Sequence, residues 1–130
     1  MNTLQAQKIA SFADVDSVLV MPLPEVVTDL CNSLGSGYVA YVANVGHTKF
    51  VRAWRKGERP PRGIREQTLR TALQATRIIL GTYSDNVVRA WFLGANRHLG
   101  VEAPATRLHE AIDAADLSKV VRAAWSFVTD

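Results

Sequence analysis

Apolar residues recur at helical spacing along most of this chain, and no segment keeps the strict alternation of a half-buried strand. Val26, Val27, Leu30 and Leu34 share one helical face, and Gly35 and Gly37 are read as its stop. YVAYVANV, residues 38–45, is short, apolar and β-branched enough to pass for a strand; its glycine brackets and the basic run after it favour a short buried helix. Gly46 then supplies a turn, Thr48 is the expected cap of a helix KFVRAWRK, and Gly57 ends it. Beyond the loop ERPPRG comes the cleanest apolar stripe: Leu69, Ala72, Leu73, Thr76, Ile79 and Leu80, closed by Gly81. Ser84 is the expected cap of SDNVVRAWFL, with Val87, Val88 and Trp91 buried and Gly94 at its end. Pro104 suits the first turn of a further helix with Leu108 and Ile112 inward. Asp116 is the expected cap of the last one, which packs Val120, Val121, Ala124, Trp125 and Val128. The pattern predicts an all-α fold, without repeats, low-complexity segments or long linkers.

Residues 1–25 have weaker periodicity and are read as an arm, a short helix followed by an extended piece that Pro22 and Pro24 punctuate. With 130 residues, 48% hydrophobic and 21% charged, the chain has the size and composition of one folded unit or two small ones sharing a core. No apolar run reaches the roughly 20 residues that span a bilayer, and the first residues do not resemble a secretory signal. A single cysteine, Cys31, leaves no internal disulfide and no multi-cysteine zinc site. The expected location is the cytoplasm, without a structural metal.

Charge changes the picture. The net charge is only +3, yet residues 47–77 hold nine of the fifteen Lys/Arg and two of the twelve acids. Such clustering points to a polyanionic partner for that segment. GYVAYVANVGHTKFVRAWRKG also has the outline of a helix-turn-helix, in which a second helix offers polar and basic side chains to a DNA groove. Val51 and Trp54, three apart, fall on its buried side, so Trp54 is a core residue rather than a base-stacking one. Thr48, Lys49, Arg52, Arg55 and Lys56 fall largely on the exposed side; Arg59, Arg62 and Arg65 follow in the loop, suited to phosphates.

A second informative stretch is WFLGANRHLGVEAP, residues 91–104, which spaces Trp91, Asn96, Leu99 and Pro104 as W-x4-N-x2-L-x4-P. Trp91 anchors one helix, Asn96 satisfies backbone groups in the turn, Leu99 plugs the turn into the core, and Pro104 opens the next helix. Together with the upstream V-x-x-W-x-x-G, this order resembles the Xre/MbcA/ParS-type antitoxins, the partners of RES-domain toxins. The likeness spans residues 26–128. It implies a helix-turn-helix region at 26–63, able to bind the operator of its own operon and to support dimerisation. It also implies a helical toxin-binding domain at 64–130 that denies NAD to the toxin. By position, Val51, Trp54 and Gly57 match the first signature, and Trp91, Asn96, Arg97, Leu99 and Pro104 the second. Ala95 stands where the family often has proline, and AIDAADLSK lacks the family's frequent loop glycine.

Catalytic groupings are not apparent. His47, His98 and His109 lie in different elements, no pair has the i, i+4 spacing of a helical zinc site, and Cys31 has no neighbouring base. Glu110, Asp113 and Asp116 suit a helix end and a cap. No phosphate-binding glycine loop occurs, so neither an enzyme nor a cofactor is expected. Trp125 and Phe127, two apart, cannot face one core together; the exposed one is a candidate anchor for the toxin or for a dimer partner. The implied assemblies are a homodimer or a toxin–antitoxin hetero-oligomer. The alternative function is a stand-alone helix-turn-helix DNA-binding regulator.

Overall fold

A computed structural model of the protein describes residues 9–130; the first eight positions of the expected arm lie outside the described residues. The fold is all-α. In chain order it comprises α1 (Phe12–Asp16), a 3-10 turn (Ser17–Val20), α2 (Leu23–Leu34), α3 (Ser36–Val42) and α4 (Thr48–Arg55). There follow α5 (Ile64–Leu80), α6 (Asp85–Leu93), a second 3-10 turn (Arg97–Leu99), α7 (Pro104–His109) and α8 (Ala114–Thr129).

The hub is α5. Its buried positions run beyond a single stripe and include Thr68, Leu69, Thr71, Ala72, Leu73, Ala75, Thr76, Ile78 and Ile79, because α8 lies along it while α2, α6 and the N-terminal segment cover its other sides. Thr76, wholly buried in this helix, satisfies its hydroxyl by donating to Ala72 O at 2.8 Å. Leu80, the last residue of α5 and expected in the core, is 40% exposed. Ile112 is exposed as well: α7 stops at His109, so Ile112 belongs to the loop.

The expected extended piece before α2 is instead a 3-10 turn, and it is tied down. Val15 and Val18 are buried. Arg70 of α5 donates through Nη1 to Val18 O and to Met21 O, each at 2.8 Å. About three helical turns further on, just past the end of α5, sits Gly81, where an added Cβ would lie 2.5 Å from the backbone N of Ala10. Gly81 therefore permits a close backbone approach as well as ending the helix.

Cap positions differ from expectation by small steps with clear causes. His47 precedes α4 and accepts from the Lys49 N–H through Nδ1 at 3.0 Å, which leaves Thr48 as the first helical residue. The left-handed residue of the α3–α4 turn is Asn44 (φ 58°), not Gly46; asparagine tolerates this region better than most side chains. Gly35 (φ 88°) both ends α2 and precedes α3, so Gly37 lies inside a helix. Ser84 precedes α6 without making a side-chain cap bond. Asp113, rather than Asp116, caps α8 by accepting from the Asp116 N–H at 3.0 Å. Asp116 accepts in turn from the Ile112 N–H at 3.1 Å, a reciprocal pair close to a capping box.

Candidate binding surfaces

Helix α4 buries Val51 and Trp54 and turns Lys49, Arg52, Arg55 and Lys56 to solvent, the division its spacing predicts. Thr48 is half-buried, and its hydroxyl accepts from Arg52 Nη1 at 3.2 Å. Lys49 Nζ lies 5.4 Å from the centre of the neighbouring Phe50 ring. Past the helix, Lys56, Gly57, Glu58, Arg59 and Pro60 form an unbroken exposed run, and Arg62 is exposed too. Among the described residues no ion pair involves any cation from Lys49 to Arg62, nor Glu58.

Elsewhere every arginine but the exposed Arg122 has a partner. Arg70 pairs with Glu66 at 3.0 Å, Arg77 with Asp29 at 3.4 Å, and Arg107 with Glu102 at 2.6 Å. Arg77 also donates to Asp14 O and Ser17 Oγ, Arg89 to Ser33 O, and Arg107 to Leu99 O. These guanidiniums satisfy the carbonyls at helix ends that intrahelical bonding leaves over. Arg65 belongs with them and not with the loop cations. It is the second residue of α5, and it donates through Nε to Ala43 O at 3.2 Å and through Nη2 to Asn44 O at 3.3 Å. It thus holds the α3–α4 turn against the start of α5. The α4 segment differs in that its charge is uncommitted.

The second candidate surface is built from the W-x4-N-x2-L-x4-P stretch and the end of α8. Trp91, Asn96, Arg97 and Phe127 line one hollow of about 390 Å³, joined by His98 and Asp130, which the sequence reading had not singled out. Asn96 precedes the second 3-10 turn and accepts from the His98 N–H through Oδ1 at 2.9 Å, the role its position predicts. Arg97, with 80% of its side chain exposed, and His98 both face Asp130 Oδ2, at 3.7 and 3.6 Å. Phe127 is 37% exposed and leans on Tyr83 and Trp91, with ring centroids 5.2 and 6.5 Å away. Trp91 is 93% buried by contrast (7% exposed), and its Nε1 has no hydrogen-bond partner.

The remaining members of the sequence-derived set lie elsewhere. Leu99 and Pro104 are buried and serve the core. Trp125, about 200° round the helix from Phe127 at 100° per residue, is half-buried and meets Phe12 of α1 at 5.0 Å. The exposed aromatic of the pair is therefore Phe127. His98 and Asp130 escaped sequence reasoning because thirty-odd residues separate them, and only the packing of α8 beside the second 3-10 turn brings them together.

Cys31 is half-buried, with Ser36 Oγ 3.7 Å from its sulfur. Among the described residues, no group of three or more His, Cys, Asp and Glu side chains is placed to hold a metal ion. No helix among them is long and apolar enough to cross a membrane. No family model matches the chain, and neither curated proteins nor solved structures give a significant match.

Proposed function

We propose that this chain is the antitoxin of a type II toxin–antitoxin system, cytoplasmic and without catalytic activity, which neutralises an NAD-consuming RES-domain toxin and binds the operator of its own operon. The carrying observation is the separation of two surfaces on one fold. One is an uncommitted basic face on α4 and its following loop. The other is a hollow where Trp91, Asn96, Arg97 and Phe127 converge. The first suits a phosphate backbone, whose contacts supply most of the affinity of such modules. The second suits a protein partner: a part-exposed aromatic, an exposed arginine and a tryptophan are the residue types that dominate interface energetics. The order of V-x-x-W-x-x-G and W-x4-N-x2-L-x4-P motifs supports the toxin as that partner. A homodimer or a hetero-oligomer with the toxin is the assembly that goes with this reading.

The test is growth of a bacterial host expressing the neighbouring reading frame, with and without this chain. Arrest by the neighbour alone and rescue by co-expression support the antitoxin. A harmless neighbour removes that reading. A second reading, a stand-alone DNA-binding regulator, is favoured by the unpaired cations of α4 alone. It predicts salt-dependent, sequence-selective duplex binding with no protein partner.

A further inference from the structure

Between the α3–α4 turn, the first turn of α5 and the end of α7 lies a third hollow, of about 210 Å³. Its polar lining is Asn44, Arg62, Arg65, Thr68 and His109, with no carboxylate among the lining residues. We propose that this hollow is a phosphate-binding site, taking one tetrahedral oxyanion.

Each lining group is either held in place or lacks a partner. Arg62 is exposed and makes no hydrogen bond or ion pair with the described residues. Arg65 is fixed by its bonds from Nε and Nη2 to Ala43 O and Asn44 O, which leaves Nη1 without a partner. The same bonds engage two carbonyls that would otherwise repel an anion. His109 is oriented twice: Nδ1 donates to Tyr41 O at 2.6 Å, and the ring stacks on Tyr41 at 4.2 Å with an interplanar angle of 10°. Thr68 is the independent pointer to a ligand. It is 97% buried (3% exposed), it lines the hollow, and its hydroxyl makes no hydrogen bond to the protein. About two turns further along α5 the buried Thr76 bonds back to Ala72 O, whereas Thr68 Oγ1 opens on the hollow: it is not among the wholly buried side-chain atoms left without a partner.

The helix behind the hollow adds to the field. Residue Gly63 precedes α5 and offers no side-chain cap, so the first N–H groups of a 17-residue helix lie beside the hollow with the positive end of its dipole. The one acid of that first turn, Glu66, is engaged by Arg70 at 3.0 Å. Size limits the ligand. Small-molecule sites usually occupy about 300–1,000 Å³, so this hollow takes a phosphate group rather than a whole nucleotide. The source assigned to it is a backbone phosphodiester of duplex DNA held by α4, which rests on the operator-binding reading above. Free phosphate shares the chemistry and is separated by the test.

The test is a pair of ¹H–¹⁵N NMR titrations of the full chain, one with inorganic phosphate against sodium chloride of equal ionic strength, one with duplex DNA. Shifts in the amides of residues 62–68 and of His109 are expected in both. Arg62→Gln, on an exposed loop, and Thr68→Val, which keeps the volume and drops the hydroxyl, are expected to abolish the phosphate-induced shifts while leaving Tm unchanged or, for Thr68→Val, higher. In duplex binding, Arg62→Gln is expected to reduce the slope of log K against log salt by about 1. If phosphate moves these amides but no duplex binds, the site stands with free phosphate as its ligand and the DNA reading falls. If the duplex binds while residues 62–68 and His109 stay unmoved in both titrations, the site is overturned and the DNA reading stands. Silence in both titrations overturns both.

Discussion

Phe12 lies 5.0 Å from Trp125, centroid to centroid and tilted by 59°, so the first described helix is fastened to the last. Trp125 is half-buried, while Phe12 itself remains 73% exposed. Phe12→Ala is therefore expected to cost only about 0.5–1.5 kcal/mol, the range of a tilted aromatic pair. Intrinsic fluorescence should shift to the red as Trp125 meets water. An unchanged emission maximum would mean that the pair does not persist in solution.

Arg55 and Arg65 stand ten residues apart in one basic run and should differ in what they do for stability. Arg55→Ala removes a charge without a partner, so Tm should hold while duplex affinity falls and its salt slope drops by about 1. Arg65→Ala releases the carbonyls of Ala43 and Asn44, and bonds from a charged donor are worth about 1.5–3 kcal/mol. Thermal melts and salt titrations on the two variants separate the roles.

At Gly81 even one methyl is too much. A Cβ there would press within 2.5 Å of a backbone atom of Ala10, which has no flexible end to move aside. Gly81→Ala should destabilise by about 1–3 kcal/mol, as overpacking does, and amide hydrogen exchange should rise first around Ala10 and α1. Uniform exchange along α5 instead would place the strain in the helix.

Asp113→Ala should cost about 1 kcal/mol, the usual worth of an N-cap side chain, whereas Asp113→Asn should recover most of it. Urea melts of the two variants read the difference directly. Equal losses would show that the Oδ1 bond to the Asp116 N–H carries no stability.

Trp91 carries an unsatisfied donor, so its replacements should not rank by size alone. Trp91→Phe removes the orphan Nε1 and should be milder than the roughly 3–5 kcal/mol of a Trp→Ala truncation, because the penalty of an unpaired buried group of about 1–3 kcal/mol is relieved. Chemical denaturation measures this. A loss for Trp91→Phe as large as for Trp91→Ala would mean that the indole nitrogen is hydrated in solution.

The helices were legible because period and punctuation agree: the glycines at 35, 57, 81 and 94 do sit at helix ends, and Val51 and Trp54 do face inward. What the pattern could not supply was direction in space. Leu80 continues the apolar stripe of α5 to its last residue yet stays exposed, and Ile112 lies beyond the end of α7. Arg65 reads as one more loop cation until the turn carrying Ala43 and Asn44, about twenty residues earlier, is seen beside it. Of the residues expected to meet a partner, spacing showed that Trp125 and Phe127 face apart but not which is exposed, and the burial of Leu99 and Pro104 follows from packing. The Tyr41–His109 stack joins positions 68 residues apart and leaves no trace in either local sequence.

The division among the arginines has a consequence for variation over time. Arg65, Arg70, Arg77, Arg89 and Arg107 are tied to backbone carbonyls and cannot be exchanged without refolding costs. Lys49, Arg55 and Lys56 are tied to none, and substitutions at such surface positions usually stay within about 0.5 kcal/mol of neutral. A lineage carrying this fold is free to rewrite its basic face residue by residue, so recognition can drift between targets while the scaffold beneath it is inherited unchanged.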